Sequence, residues 1–133
     1  MAWTIAKHIE NVITKAEHFL QDVKIIQHDE DIQRAIIALE GKWQNYRVVI
    51  QEIHRVDGTI RYAYCLLNEA NKQLYRFDNS GDRLAIKLRY KADWKKYQHA
   101  EIPHQHDPDN QVTLTNAAMT FEDFLMWLSN KME

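Results

Sequence analysis

An Asp57-Gly58 pair stands between two runs of residues that favour β-strands, and this feature constrains the fold more than any other. The first run, 46–56, is rich in β-branched residues, and the second, 60–67, alternates side chains between two faces. Asp-Gly is a strong hairpin signal because both central positions of a type I′ turn need a positive φ. Strands joined by so short a turn pair antiparallel, since parallel strands need long crossovers.

Further short strands extend this hairpin into a meander. Residues 34–39 have apolar side chains on both strand faces, which is typical of a central strand, and they are followed by a connector at 41–45. A short strand at 23–26 ends in the acidic stretch 28–31, and another strand at 73–77 follows a polar loop. The connections are short, so we expect neighbouring strands to pair antiparallel throughout.

The basic stretch 83–97 is ambiguous. Apolar and polar residues alternate up to Tyr90, which favours a strand, whereas the spacing of Ile86, Tyr90 and Trp94 fits a helix. We expect a strand to Tyr90 followed by a helical turn. The strand would place four basic side chains on one face: Arg83, Lys87, Arg89 and Lys91. Such a face could bind an anionic ligand such as RNA, or could be solvated and pair with the acidic ends of the chain.

Helices are predicted at both ends. Apolar residues recur at three- and four-residue spacing over 3–21, and Thr120 is a good N-cap for a last helix ending near Lys131. The last helix has an apolar stripe of Phe121, Phe124, Leu125 and Leu128. Residues 101–116 read as a polar loop. The fold class is therefore α+β, with an N-terminal helix, an antiparallel meander of about five or six strands and a C-terminal helix.

The composition fits one domain over residues 1–133. The single cysteine, Cys65, has no partner for an internal disulfide. No apolar stretch approaches the roughly 18–20 residues of a membrane span, and the charged N-terminus has no signal-peptide pattern. We therefore expect a soluble cytoplasmic protein without a membrane partner. Phosphate-binding loops, dinucleotide fingerprints, the GxSxG and HExxH motifs and CxxC pairs are missing from the sequence.

The segment 103–110 contains the histidines that could carry chemistry. His104 and His106 are two residues apart, so in an extended segment they project to the same side, about 6–7 Å apart. Two imidazoles on one side can serve as general base and general acid on a phosphodiester. They could equally hold a metal with Asp107 or Asp109, or be ordinary loop histidines that bond to the backbone.

A second polar group ends the strand at 73–77. Arg76 and Asp78 share a strand face, where they could form a simple structural ion pair. As functional residues, the arginine would stabilise developing phosphoryl charge and the aspartate would orient a histidine. The other histidines and the hairpin arginines are expected to be solvated: His8, His18, His28, His54, Arg55 and Arg61.

In this order the pieces resemble the TumE-type family of toxin–antitoxin proteins. Members combine an N-terminal helix, a meander with an Arg-x-Tyr-x-Tyr strand, a strand ending in Arg-aromatic-Asp-Asn, a histidine-rich segment and a final helix. This chain has Arg61-Tyr62-Ala63-Tyr64, then Arg76-Phe77-Asp78-Asn79, then Pro103-His104-Gln105-His106, and the helix from Phe121. It differs by the inserted basic stretch 83–97 and by Gln105, where a basic residue or histidine is usual.

The resemblance implies an intracellular toxin that a cognate antitoxin neutralises, and similar small toxins often act on RNA. As a metal-independent ribonuclease without a cofactor, it would use His104 and His106 for proton transfer and Arg76 for the phosphorane charge. Asp78 would orient a histidine, and the basic residues of 83–91 would position the RNA backbone. Two alternatives stay open: a binding module without catalysis, and a metal-dependent phosphodiesterase that uses Asp78, His104, His106 and Asp107.

Overall fold

The structure, a computed structural model, describes residues 2–131, in which the chain forms three α-helices and one seven-stranded sheet. The helices are α1 (Ala2–Phe19), α2 (Arg83–Tyr90) and α3 (Phe121–Lys131). The strands are β1 (Gln21–Glu30), β2 (Arg34–Trp43), β3 (Tyr46–Arg55), β4 (Ile60–Leu67), β5 (Gln73–Asp78), β6 (His104–His106) and β7 (Val112–Leu114). A short 3-10 helix, Lys91–Tyr97, follows α2 directly.

The sheet is an antiparallel meander in which each strand pairs with the next one along the chain, in the order β1 to β7. This confirms the predicted α+β class with a helix at each end. The β3–β4 hairpin turns at Asp57-Gly58 as expected, but the turn is not of type I′. Only Gly58 has a positive φ, of 88°, and its amide donates to the Arg55 carbonyl. The loop therefore holds three residues, 56–58, because the Arg55 amide bonds to the Thr59 carbonyl.

The first face of the sheet packs against α1 and α3 and contains the main core. Alternate residues of β3 and β4 point into it, and the predicted stripe of α3 closes it: Val48, Ile50, Tyr62, Tyr64, Leu66, Phe121, Phe124, Leu125 and Leu128. Thr120 caps α3 reciprocally, because its Oγ1 accepts from the Asp123 amide and its own amide donates to the Asp123 carboxylate. The prediction for α3 is confirmed.

The second face is covered in part by α2, and here the predicted strand at 83–90 is wrong. Asp82 starts a helix instead, since its Oδ1 accepts from the Ala85 amide at 3.0 Å. The helix buries Ala85 and Ile86 against Ile102 in a small second core. The next strand to pair with β5 is β6, so the segment 83–90 is not part of the sheet.

The predicted polar loop at 101–116 contains the last two strands, β6 and β7. β6 pairs with β5 through three residue pairs, from Arg76–His106 to Asp78–His104. β7 pairs with β6 through three more, from His104–Leu114 to His106–Val112. Strands this short carry too few residues for a reliable alternation pattern. The first strand, by contrast, is longer than predicted and runs through the acidic stretch 28–30.

Candidate functional site

The pairing of β5 with β6 positions the four residues singled out by the sequence. Arg76 lies opposite His106, and Asp78 lies opposite His104. Side chains of directly paired residues project from the same face of a sheet. All four side chains therefore project from the second face, close to the first turn of α2.

A continuous chain of short contacts joins these four side chains. Nε of Arg76 donates to Oδ2 of Asp78 at 2.5 Å. The other carboxylate oxygen, Oδ1, lies 3.1 Å from Nε2 of His104. That nitrogen is in turn 3.1 Å from Nε2 of His106. The structure thus brings together Arg76, Asp78, His104 and His106, as catalysis at one site requires.

The four side chains differ in their access to solvent. Asp78 and His104 are fully enclosed, with 2% and 0% of their side chains exposed. His106 is 14% exposed and Arg76 is 38% exposed. Of these four residues, only Arg76 and His106 can therefore touch a substrate that approaches from solvent, and Asp78 and His104 position them from below.

Asp78 is ionised despite its burial. Burial alone would raise the pKa of this carboxyl group, but hydrogen bonds from Arg76 and from Ser80 outweigh that effect and hold the pKa below its usual range. Both the amide and the hydroxyl of Ser80 donate to Oδ1, at 3.0 and 2.7 Å. The site thus keeps a fixed negative charge beneath the two imidazoles.

The orientation of His104 follows from a backbone contact. Its Nδ1 donates to the Ile102 carbonyl at 2.6 Å, because a carbonyl oxygen can only accept. Nε2 is then left to face Asp78 and His106. The Nδ1 of His106 is shielded from solvent and, among the described residues, has no hydrogen-bond partner.

The sequence did not single out Asp82, which also borders the site. Its Oδ2 lies 3.7 Å from Nε2 of His106 and 4.0 Å from Nε2 of His104. An N-cap signal at Asp82 could have found it, had a helix been expected there. Asp107 lies in the β6–β7 hairpin instead, where its Oδ1 accepts from the amides of Asp109 and Gln111.

Within residues 2–131, two groups of side chains have the composition and spacing of a metal site. Asp78, His104 and His106 form the first group, and each offers a ligand atom within 4.8 Å of the other two. Imidazole nitrogens and a carboxylate oxygen suit Zn²⁺ and related cations. The Nδ1 contact of His104 to the Ile102 carbonyl is the type of outer hydrogen bond that orients a metal-ligating histidine.

The second group, His8, Glu52 and His54, lies on the first face of the sheet, between α1 and β3. The expectation that His54 is solvated is wrong, because its side chain is only 6% exposed. Glu52 is 2% exposed, whereas His8 is 41% exposed. No sequence pattern predicts this group, because His8 lies 44 residues before Glu52 and only the fold joins them.

The four basic residues predicted on one strand face do not share a face in the structure, because α2 points their side chains in different directions. Arg83 and Lys87 share one face of α2 and lie over the ring of Trp94, at 5.2 and 4.7 Å from its centroid. Arg89 projects from a different side, and Lys91 ends the helix with a φ of 51°. The prediction of one continuous basic face is therefore wrong, and a smaller basic surface around Trp94 replaces it.

No protein-family model, curated protein or solved structure matches this chain. Between residues 2 and 131, the structure contains no helix with the length and apolar character needed to cross a membrane.

Proposed function

We propose that this chain is the toxin component of a toxin–antitoxin pair and cleaves RNA at the site between β5 and β6. The observation that supports this proposal is the bonded chain Arg76–Asp78–His104–His106. These residues come from two segments separated by 25 residues or more, yet their functional atoms meet at hydrogen-bond distances. Their chemistry matches what the cleavage of a phosphodiester requires.

Cleavage of RNA can use the 2′-hydroxyl of the substrate as the nucleophile. A base removes the proton of that hydroxyl as its oxygen attacks phosphorus, and an acid gives a proton to the departing 5′-oxygen. His106 would take the proton of the 2′-hydroxyl and give a proton to the 5′-oxygen. His104 lies behind it and would accept a proton from His106, or return one to it, across the 3.1 Å contact. Arg76 would stabilise the charge that develops on the phosphoryl oxygens. Because Nδ1 of His106 is shielded, its ring must turn when substrate binds.

A metal-dependent phosphodiesterase is the second candidate, and a specific observation favours it. Asp78, His104 and His106 each offer a ligand atom within 4.8 Å of the other two, and Oδ2 of Asp82 lies 3.7 Å from Nε2 of His106. Four ligand atoms placed tetrahedrally around Zn²⁺ lie roughly 3.3–3.6 Å apart when bond lengths are about 2.0–2.2 Å. The contacts of His104 with Asp78 and with His106 are 3.1 Å, slightly below that range, and those of Asp82 with His106 and His104 are 3.7 and 4.0 Å, slightly above it. The two candidates share the site and the substrate and differ in the mechanism.

The experiment begins in a bacterial host that expresses the chain alone or together with the adjacent open reading frame. We expect growth arrest and loss of RNA integrity with the chain alone, and rescue by a cognate antitoxin. The variants His106→Ala and Arg76→Ala should abolish the arrest, whereas His99→Ala, an exposed histidine elsewhere, should retain it. Full toxicity of His106→Ala at equal expression would reject the catalytic site and leave a binding module.

The purified chain then separates the two mechanisms. RNA cleavage that persists in EDTA supports acid–base catalysis by the histidines. Cleavage that is lost in EDTA and returns with added divalent cation supports the metal-dependent candidate. Chains that bind RNA without cleaving it under either condition would reject both.

A further inference from the structure

The group formed by His8, Glu52 and His54 has a geometry that the proposed ribonuclease does not use. It lies on the opposite face of the sheet from the β5–β6 site, because Glu52 and His54 follow Ile50 on the core face of β3. Nε2 of His8 is 3.1 Å from Oε1 of Glu52, and Nε2 of His54 is 2.9 Å from the same oxygen. The two imidazole rings are 4.7 Å apart between centroids.

The remaining oxygen of Glu52 is held from the core side. The Tyr64 hydroxyl donates to Oε2 at 2.6 Å, and burial keeps this hydroxyl protonated by raising its pKa. An outer donor on the second oxygen of a ligating carboxylate is the usual arrangement in metal sites. Burial opposes the ionisation of Glu52, but the hydrogen bonds from His54, His8 and Tyr64 outweigh it and lower its pKa to about 2. The group therefore presents a carboxylate anion and two imidazole nitrogens.

The group also has an entry path. An open cavity of about 230 Å³ lies beside it and is lined by both histidines, the tip of the β3–β4 hairpin and Ile5. Glu52 lies behind the two imidazoles and does not line the cavity. Because both histidines line the cavity and His8 is half-exposed, a cation can reach the group from this side.

We propose that His8, Glu52 and His54 bind a divalent first-row cation such as Zn²⁺, with a fourth coordination position open to this cavity. Two histidines and one glutamate are a known ligand set of zinc sites that retain a water molecule. The distances from Oε1 of Glu52 to the Nε2 atoms of His54 and His8 are 2.9 and 3.1 Å. Tetrahedral coordination needs these atoms to move apart by only a few tenths of an ångström. His8 is the ligand nearest to solvent, because its side chain on α1 is half-exposed whereas Glu52 and His54 are buried.

The test must separate this group from the one on β5 and β6. We therefore use the full chain with His106→Ala, freed of metal by a chelator, and titrate it with Zn²⁺ by calorimetry. We expect one Zn²⁺ per chain in this background. Adding His8→Ala should weaken binding by at least about 100-fold, since even the loss of an outer partner weakens metal sites about 10–100-fold. The matched control His18→Ala, an exposed histidine on the same helix, should leave the affinity unchanged.

Two further measurements test whether a loss of Zn²⁺ binding comes from the loss of a ligand or from unfolding of the chain. Alanine is a favourable residue in a helix, so His8→Ala should fold, and circular dichroism checks this. If the alanine variant unfolds, His8→Gln is used in its place. Tyr64→Phe removes only the outer hydroxyl and should weaken Zn²⁺ binding about 10–100-fold. The absence of Zn²⁺ binding in the His106→Ala chain, or equal affinities with His8→Ala and His18→Ala, would overturn the proposal. Either result would identify the group as a hydrogen-bond network that stabilises a buried glutamate.

Discussion

The Nε2 atoms of His104 and His106 lie 3.1 Å apart, with the first ring fully buried and the second one near the surface. Two imidazole nitrogens at this distance can share a single proton or a single cation, so the rings act as one unit. They cannot flank a phosphate from opposite sides, because no group fits between them. The two histidines therefore have different roles, which variants can separate.

We predict that His106→Ala abolishes the growth arrest and lowers the free energy of unfolding by less than His104→Ala does. A proton-transfer residue contributes about 10²–10⁴-fold in rate, and the His106 ring is partly exposed whereas the His104 ring is fully buried. His104→Ala should abolish the arrest as well, but by a different route. It removes a fully buried ring that contacts the Asp78 carboxylate, and it leaves the Ile102 carbonyl without its donor, which typically costs about 1–3 kcal/mol. Urea unfolding of both variants, beside growth curves, measures the difference.

An equal loss of stability in the two histidine variants would contradict this division of roles. The control is His99→Ala, which should match the unaltered chain in both growth arrest and unfolding.

The sequence predicted most of the fold because its signals are local. The spacing of apolar residues in α1 and α3, the Thr120 cap and the Asp57-Gly58 turn each act within a few residues. The prediction for the segment 83–90 was wrong because its structure depends on contacts with distant parts of the chain. Its alternation predicts a strand, but β5 already pairs with β6, and Leu84 and Leu88 of the alternating row are about half exposed. Competition for a sheet edge is a tertiary effect that no local pattern contains.

The sequence predicted which residues form the candidate site, but it did not predict how deeply their side chains are buried. Strand alternation correctly placed Arg76 with Asp78, and His104 with His106, on one face. The burial of His104 depends on α2 and Ile102, which come from outside its own strand. The group of His8, Glu52 and His54 joins a helix to a strand 44 residues later, so only the assembled fold reveals it.

We predict that Leu125→Ala lowers the free energy of unfolding by about 2–5 kcal/mol, because the side chain is buried between α3 and the sheet. Met126→Ala, the next residue on the exposed side of the same helix, should change it by no more than about 0.5 kcal/mol. Chemical denaturation of both variants makes the comparison. Similar losses in both variants would mean that α3 does not pack as described.

We predict that the stability of the metal-free chain falls as the pH is lowered from about 4.5 to about 2. The pKa of Glu52 drops from its ordinary 4.5 to about 2 in the fold, so its contribution is fully present above pH 4.5 and is lost as the group is protonated. A shift of this size corresponds to roughly 3 kcal/mol. Unfolding in urea with EDTA, at several pH values, measures the slope.

Glu52→Gln should flatten that slope, because an amide does not titrate in this range. Glu122→Gln, which removes an exposed carboxylate from α3, should leave the slope as it is. Parallel slopes in the unaltered chain and in Glu52→Gln would show that another carboxyl group causes the pH dependence.

We predict that Lys87→Glu weakens RNA binding more than Arg89→Glu does, although both substitutions change the charge equally. Lys87 lies with Arg83 over Trp94, and Arg83 directly follows Asp82 at the edge of the candidate site, whereas Arg89 projects elsewhere. Each phosphate contact on single-stranded RNA contributes about 0.7 to the slope of log affinity against log salt concentration. Lys87→Glu should therefore lower that slope by about 0.7 for all RNA sequences, and Arg89→Glu should not. Equal effects of both reversals would mean that RNA responds only to the net charge of the chain.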